Sequence, residues 1–307
     1  MSHQACEWIL GASGQIGHHL LREASATGAS AVVGTYCRTP APGLTQLDLT
    51  SEAQIDALLA AAPPAVIHWP AFNPAVDEVE RHPEATRLVN VEAPRRLLDR
   101  LRGSAVKIVY YSTDYVFDGA AGPYGEDDEP MPLSEYGRQK LEIEHAVMGM
   151  FPTALVLRTT VVFSHEPQGK NFVQRAVAAL RRGEVIRQPL DQFATPTYAP
   201  ALAKAARQLV AAGATGVVHV AGPDFMSRVE FAEIMAEVFG FSPQRIVGVT
   251  TADLHQPAKR PLLGGLKTDR LARLLGHRLP SARQGLEAMR KAWEEAEAGS
   301  PPVSAQG

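Results

Sequence analysis

A chain of 307 residues, 45% hydrophobic and 21% charged, can bury a large core as one big domain or two smaller ones. Its net charge of −3 offers no basic footprint for nucleic acid or an anionic membrane surface, so small molecules or proteins are the expected partners. Cys6 and Cys37 are the only cysteines, which argues against a disulfide framework or structural zinc and fits a reducing cytoplasm.

The chain opens MSHQACEW, without the basic and apolar regions of an export signal. No apolar run approaches the roughly 20 residues needed to span a bilayer, so membrane insertion is not expected. No repeat recurs, and the C-terminal GSPPVSAQG reads as a frayed tail over 299–307.

In chain order, residues 8–10 form a short apolar strand, and Gly11-Ala12-Ser13-Gly14-Gln15-Ile16-Gly17 follows directly, ahead of a helix over 18–27. Strand, glycine loop and helix in that order predict a dinucleotide site. Gly11 and Gly14 permit the tight turn and close approach of a pyrophosphate, Gly17 permits close helix–strand packing, and the helix N-terminus supplies N–H donors. Residues 31–34 form the second strand, followed by Thr35-Tyr36-Cys37-Arg38 with no acid. A cation there favours NADPH over NADH, since an NAD site places a carboxylate on the ribose. Asp48, beside Leu49, reads equally as a contact to the adenine amino group or as a cap for the next helix.

Helices over 52–62, 84–102 and 135–148 alternate with apolar strands at 65–68, 107–111 and 154–157. That rhythm predicts an α/β fold with a Rossmann-type, doubly wound parallel sheet, because continuously apolar strands are buried on both faces. Beyond Thr160 come helices over 171–183 and 197–213, a strand over 216–222, and a helix over 227–240 that begins with Ser227 and Glu230 as a capping box. The expected division is a cofactor domain of 1–165 plus about 193–221, and a smaller α/β substrate lobe of about 166–192 plus 222–298. A substrate would lie in the crevice between them.

Glu135-Tyr136-Gly137-Arg138-Gln139-Lys140 carries the chemistry. Tyr136 and Lys140 are one helical turn apart on one face. A phenol is a poor proton donor and acceptor at neutral pH, and a nearby ammonium would lower its pKa. Ser112-Thr113, ending an apolar strand, could join Tyr136 on one substrate oxygen.

These motifs resemble the extended short-chain dehydrogenase/reductases. YSTDYVFDG (111–119), PYGEDDEP (123–130), YGRQK, LRTTVVF (157–163), NFV (171–173), DQFATPTY (191–198) and KRPLLGGL (259–266) resemble, in order, the dTDP-4-dehydrorhamnose reductase family. The resemblance implies hydride transfer from NADPH, or NADH, to the 4-keto carbon of a nucleotide-linked 6-deoxyhexose. It assigns Tyr136 to protonate the alkoxide, Lys140 to hold the nicotinamide ribose, and Thr113, with Ser112 as alternative, to bond the reacting oxygen. The expected cofactor contacts are Gly11, Ser13, Gly14, Gln15, Ile16, Gly17, Arg38, Asp48, Leu49, Trp69 and Lys140. Tyr115 and Val116 would border the sugar, and Arg260 would reach its diphosphate. A homodimer through the helix bearing Tyr136 is compatible with the family, and no metal is expected.

Three departures stand out. His68-Trp69-Pro70-Ala71 replaces the family's Asn-Ala-Ala-Ala, Val161 stands where a sugar-contacting Trp is usual, and Gly264 replaces a Ser. They leave two alternatives: another NADP-linked extended reductase or epimerase, and a non-catalytic dinucleotide-binding subunit resembling the β subunit of methionine adenosyltransferase. His18-His19 and the acidic run Glu126-Asp127-Asp128-Glu129 read as packing and solvated-loop residues.

Overall fold

The structure is a computed structural model that describes residues 6–28 and 31–298; the expected tail lies outside the described residues. The chain runs β1 (Cys6–Ile9), α1 (Gln15–Ala26), β2 (Val32–Tyr36), β3 (Thr45–Gln46), α2 (Glu52–Ala61), β4 (Pro64–Trp69), α3 (Val76–Arg81) and α4 (Pro83–Arg87). A π-helical turn over Leu88–Glu92 leads to α5 (Ala93–Leu101), β5 (Lys107–Thr113), a 3-10 turn (Asp114–Val116), α6 (Glu135–Met150) and β6 (Leu155–Thr159). Then come β7 (Val162–Phe163), α7 (Phe172–Arg181), β8 (Ile186–Pro189), β9 (Phe193–Ala194), β10 (Thr197–Tyr198), α8 (Ala199–Ala211) and β11 (Gly216–His219). The described chain closes with β12 (Met226–Ser227), α9 (Arg228–Val238), β13 (Ile246–Val249), α10 (Asp269–Leu275) and α11 (Ala282–Ala298).

Seven strands form one parallel sheet in the order β11-β6-β5-β4-β1-β2-β3. The order reverses between β1 and β4, the switch point where a doubly wound sheet opens a crevice at its carboxyl ends. Strand alternation divides the core between the two faces. Trp8, Ile108 and Tyr110 pack with Ile55 of α2, Leu97 of α5 and Ile143 of α6, while Ile9, Val109 and Tyr111 pack with Leu20 of α1, Leu202 of α8 and Leu271 of α10.

The helix expected over 84–102 is interrupted by the π turn. Pro94 has no N–H to bond the Asn90 carbonyl and its ring crowds that carbonyl, so the helix widens one turn earlier. The small pairs β7–β10, β8–β13 and β9–β12 are too short to leave a readable period. They accompany a third core in which Val173 and Val177 of α7, Phe231 and Met235 of α9, and Leu286 and Met289 of α11 surround Phe163.

Two contacts seat α6. A Cβ on Gly137 would fall 2.2 Å from the Tyr115 carbonyl oxygen, so only glycine allows the helix this close. Further along, Arg158 of β6 donates to the Glu144 carboxylate through Nη2 at 2.7 Å and Nε at 3.1 Å, with both side chains at least 96% buried. Removing one member of such a pair strands a buried charge. Glu144→Ala is therefore expected to lower stability by roughly 3–5 kcal/mol in urea unfolding, and an unchanged midpoint would show that the pair does not hold the helix.

Candidate functional site

A cleft of about 1210 Å³ runs from the glycine loop across the ends of β1, β4 and β5 to Arg228 and Arg260. At its glycine-loop end, Gly11 has φ +74°, and a Cβ on Gly17 would meet the Gly11 carbonyl oxygen at 2.3 Å and the Ala12 Cα at 2.7 Å. The loop is thus bare backbone pressed against bare backbone. Helix α1 begins at Gln15, three residues earlier than expected; its N-cap, Gly14, makes no side-chain cap bond, and its first turn carries no acid. Its N-terminal N–H groups and positive dipole end are open to an anion. Gly11, Ser13, Gly14, Gln15, Ile16, Gly17, Arg38, Asp48 and Leu49 all line this end. Arg38 is exposed at the rim. Asp48 accepts from the Thr50 N–H at 2.9 Å and hydroxyl at 2.7 Å, while the α2 cap is Ser51.

From the other side, Gln15 Nε2 donates to Ser164 Oγ at 3.0 Å, and Gln168 Nε2 donates to the Ser13 carbonyl. The segment after β7 therefore lies against the glycine loop.

At the centre, α6 brings Tyr136 and Lys140 beneath the end of β5. The Tyr136 ring lies edge-to-face between Phe72, at 5.5 Å, and Tyr115, at 5.6 Å between centroids. Thr113 Oγ1 donates to Asp114 Oδ1 at 3.2 Å and accepts from the Tyr115 N–H at 3.2 Å. Burial raises the Tyr136 pKa, as do Tyr115 and Asp114, while a hydrogen bond with Thr113 opposes the shift. The depression expected from Lys140 is not found. Lys140 Nζ donates to the Tyr111 carbonyl at 2.7 Å and sits 3.9 Å from the Phe72 ring centroid. Burial lowers its own pKa to about 7, with Glu144 opposing.

Asp114 is buried beside Thr113. Its Oδ2 accepts from Thr160 Oγ1 at 2.7 Å and from the Gly265 N–H at 3.3 Å, and burial raises its pKa. A Cβ on Gly264 would lie 2.9 Å from that same Oδ2, so the serine usual in the family has no room here without movement of Asp114. Val161 lines the cleft with φ +42°. For a β-branched side chain this left-handed backbone is strained, at roughly 1–3 kcal/mol.

Tyr115 and Arg260 line the cleft, and Arg260 is held by Asp77 at 2.8 Å. Two expected contacts lie elsewhere. Trp69 is fully buried and packs into the core between the sheet and α5 and α6; Pro70, Ala71 and Phe72 turn into the cleft instead. Val116 is directed by the 3-10 turn into a separate cluster with Phe117, Tyr124 and Leu266. Sequence reasoning missed Phe72, Asp114, Gln168 and Arg228. Asp114 could have been found as the neighbour of Thr113 in YSTDYVFDG, and Phe72 by following the fourth strand past Ala71; Gln168 and Arg228 carry no local signal. Among the described residues, no His, Cys, Asp and Glu side chains group as a metal site, and no helix is long and apolar enough to cross a membrane.

The family model described as RmlD substrate binding domain matches residues 8–294. A probable low-salt glycan biosynthesis reductase of Haloferax volcanii is 33% identical, over 94% of this chain and 98% of its own. A dTDP-4-dehydrorhamnose reductase of Mycobacterium tuberculosis is 34% identical, over 85% of this chain and 84% of its own. The crystal structure of a dTDP-4-dehydrorhamnose reductase from Bacillus anthracis in complex with NADP superposes with a TM-score of 0.85 at 25% identity, covering 94% of this chain and 99% of that one.

Two measurements check the site. The folded chain releases the Lys140 proton near pH 7 and the unfolded chain near 10.5, so between these values the unfolded state binds more protons and stability rises with pH. Relative to Lys140→Met, the wild type should gain stability across that window and show no such gain below it; a pH-independent difference would refute the buried-ammonium account. At Val161, the Gly variant should be more stable than the Ala variant by roughly 1 kcal/mol in thermal unfolding, since only glycine relieves the positive φ. The reverse ranking would remove the strain.

Proposed function

Because the chain belongs to the RmlD substrate binding domain family, we propose that it is an NADPH-dependent reductase of the 4-keto group of a nucleotide-linked 6-deoxyhexose, with NADH as the alternative hydride donor. The observation that carries this reading is the convergence of Thr113, Tyr136 and Lys140 in one cleft with the glycine loop.

The residues fit the cofactor. The Gly11–Gly17 contact and the open end of α1 suit a pyrophosphate, and Arg38 at the rim, at the end of a second strand that carries no acid, suits a 2′-phosphate. The cofactor supplies the hydride that adds to C4 of the sugar. Thr113 and Tyr136 hold the carbonyl oxygen as it becomes an alkoxide, and the Tyr136 hydroxyl gives it the proton that completes the alcohol. Burial keeps the Tyr136 hydroxyl protonated at neutral pH, so the proton to be given is in place. The raised pKa makes it a weaker acid than a lowered one would, and the donation depends on Thr113 and Tyr136 meeting the oxygen as its charge develops. Phe72 and Tyr115 keep its ring in one orientation and exclude water. Lys140, fixed by the Tyr111 carbonyl, offers its remaining donors to the nicotinamide ribose.

In this reading residues 1–165 with about 193–221 hold the cofactor, and about 166–192 with 222–298 cover the sugar nucleotide. Tyr115 borders the sugar, and Arg260 lies on the path to the diphosphate. A cytoplasmic homodimer belongs to the same proposal. An intact Thr113, Tyr136 and Lys140 set in an open cleft favours catalysis over a binding-only role.

The test is NADPH oxidation at 340 nm with dTDP-4-keto-6-deoxyhexose, comparing wild type with Tyr136→Phe. The expected result is turnover that the substitution lowers by roughly 10²–10⁴-fold while NADPH still binds. Tight NADPH binding without turnover of this substrate would overturn the assignment.

A further inference from the structure

Arg228 is the first residue of α9. Its backbone N–H donates to the Gln192 carbonyl at 2.8 Å, and Ser227 and Glu230 close a capping box around it. Its guanidinium lies 5.1 Å from the Phe172 ring centroid and lines the cleft. Among the described residues its side chain forms no ion pair and no hydrogen bond, although burial pushes its pKa down and Tyr115 and Asp114 are the groups that pull it back. A cation partly withdrawn from water without a counter-ion is costly, and an anion in the cleft would relieve that cost.

Arg260 makes the contrast. Its side chain is 8% exposed and pairs with Asp77, and the guanidinium lies 5.9 Å from the Tyr115 ring centroid. Nη1 of Arg260 is buried with no partner. Arg228, Arg260 and Asp77 together leave one net positive charge, with unused planar donors of the kind that match phosphate oxygens. Both arginines border Tyr115, whose ring abuts Tyr136. An anion bound there belongs to the molecule that carries the reacting carbonyl; the cofactor's own pyrophosphate has its seat at the glycine loop.

We infer that Arg228, helped by the free Nη1 of Arg260, grips the diphosphate of the sugar-nucleotide substrate and is the stronger of the two contacts, because Arg260 is already neutralised by Asp77. This inference rests on the proposed function. Its test is calorimetric titration of dTDP and of thymidine into NADP-saturated wild type, Arg228→Met and Arg228→Lys. The expected result is dTDP affinity reduced roughly 10- to 100-fold in the Met variant and partly recovered in the Lys variant, with thymidine and NADPH binding unchanged. Equal dTDP affinity in wild type and Arg228→Met overturns the inference, as does wild type that does not bind dTDP. So does a loss that extends equally to thymidine and NADPH, which would mark Arg228 as structural. Wild type that binds dTDP through Arg228 yet reduces no keto sugar sinks the reductase reading and leaves this site standing.

Discussion

The site depends on how closely one helix lies against one loop. Gly137 has no side chain, and the Tyr115 carbonyl occupies the place where a Cβ would stand. That contact fixes the height of α6 against the end of β5, and with it the positions of Tyr136 and Lys140. The Glu144–Arg158 pair sets the same helix further along, so α6 is fixed near its start and at its middle. Everything the cleft does at its centre follows from this seating: the edge-to-face stack around Tyr136 and the bond from Lys140 to the Tyr111 carbonyl both require it.

Burial is the second organising fact. Lys140 and Asp114 are polar groups taken out of water; Lys140 donates to the Tyr111 carbonyl, and Asp114 accepts from Thr160, Gly265 and Thr113. The result is a pair of groups pushed toward their neutral forms by the same cause, one an amine whose pKa falls and one an acid whose pKa rises. A preorganised, poorly hydrated centre of this kind strengthens whatever charge develops within it.

The parts legible from sequence were those with a local cause. The sheet followed from alternating apolar runs, the glycine loop from its place between strand and helix, and the Tyr136–Lys140 pair from one turn of helix. Trp69 and Val116 were misplaced because their direction is set by packing: the last residue of β4 turns toward α5 and α6, and the 3-10 turn rotates Val116 away from the cleft. The pKa relation between Lys140 and Tyr136 was misjudged because shared helical face does not say where a flexible amine ends; the Tyr111 carbonyl took it. Arg228 was illegible because the fold that brings α9 to the cleft is assembled from two-residue strands.

Asp114 has a mechanical meaning as well as an electrostatic one. It stands next to Thr113 at the end of the central sheet, yet it also bonds Gly265 in the segment over 262–267, which itself runs between Gly119 to Tyr124 on one side and Phe193 on the other. The two walls of the cleft are therefore stitched together at its floor by a buried carboxylate. A hinge that opened there would break the Gly265 bond to the buried carboxylate and the backbone ladder on either side of 262–267, so the mouth of the cleft is the less costly path for a ligand. The floor of the cleft is thus tied to both of its walls before anything enters.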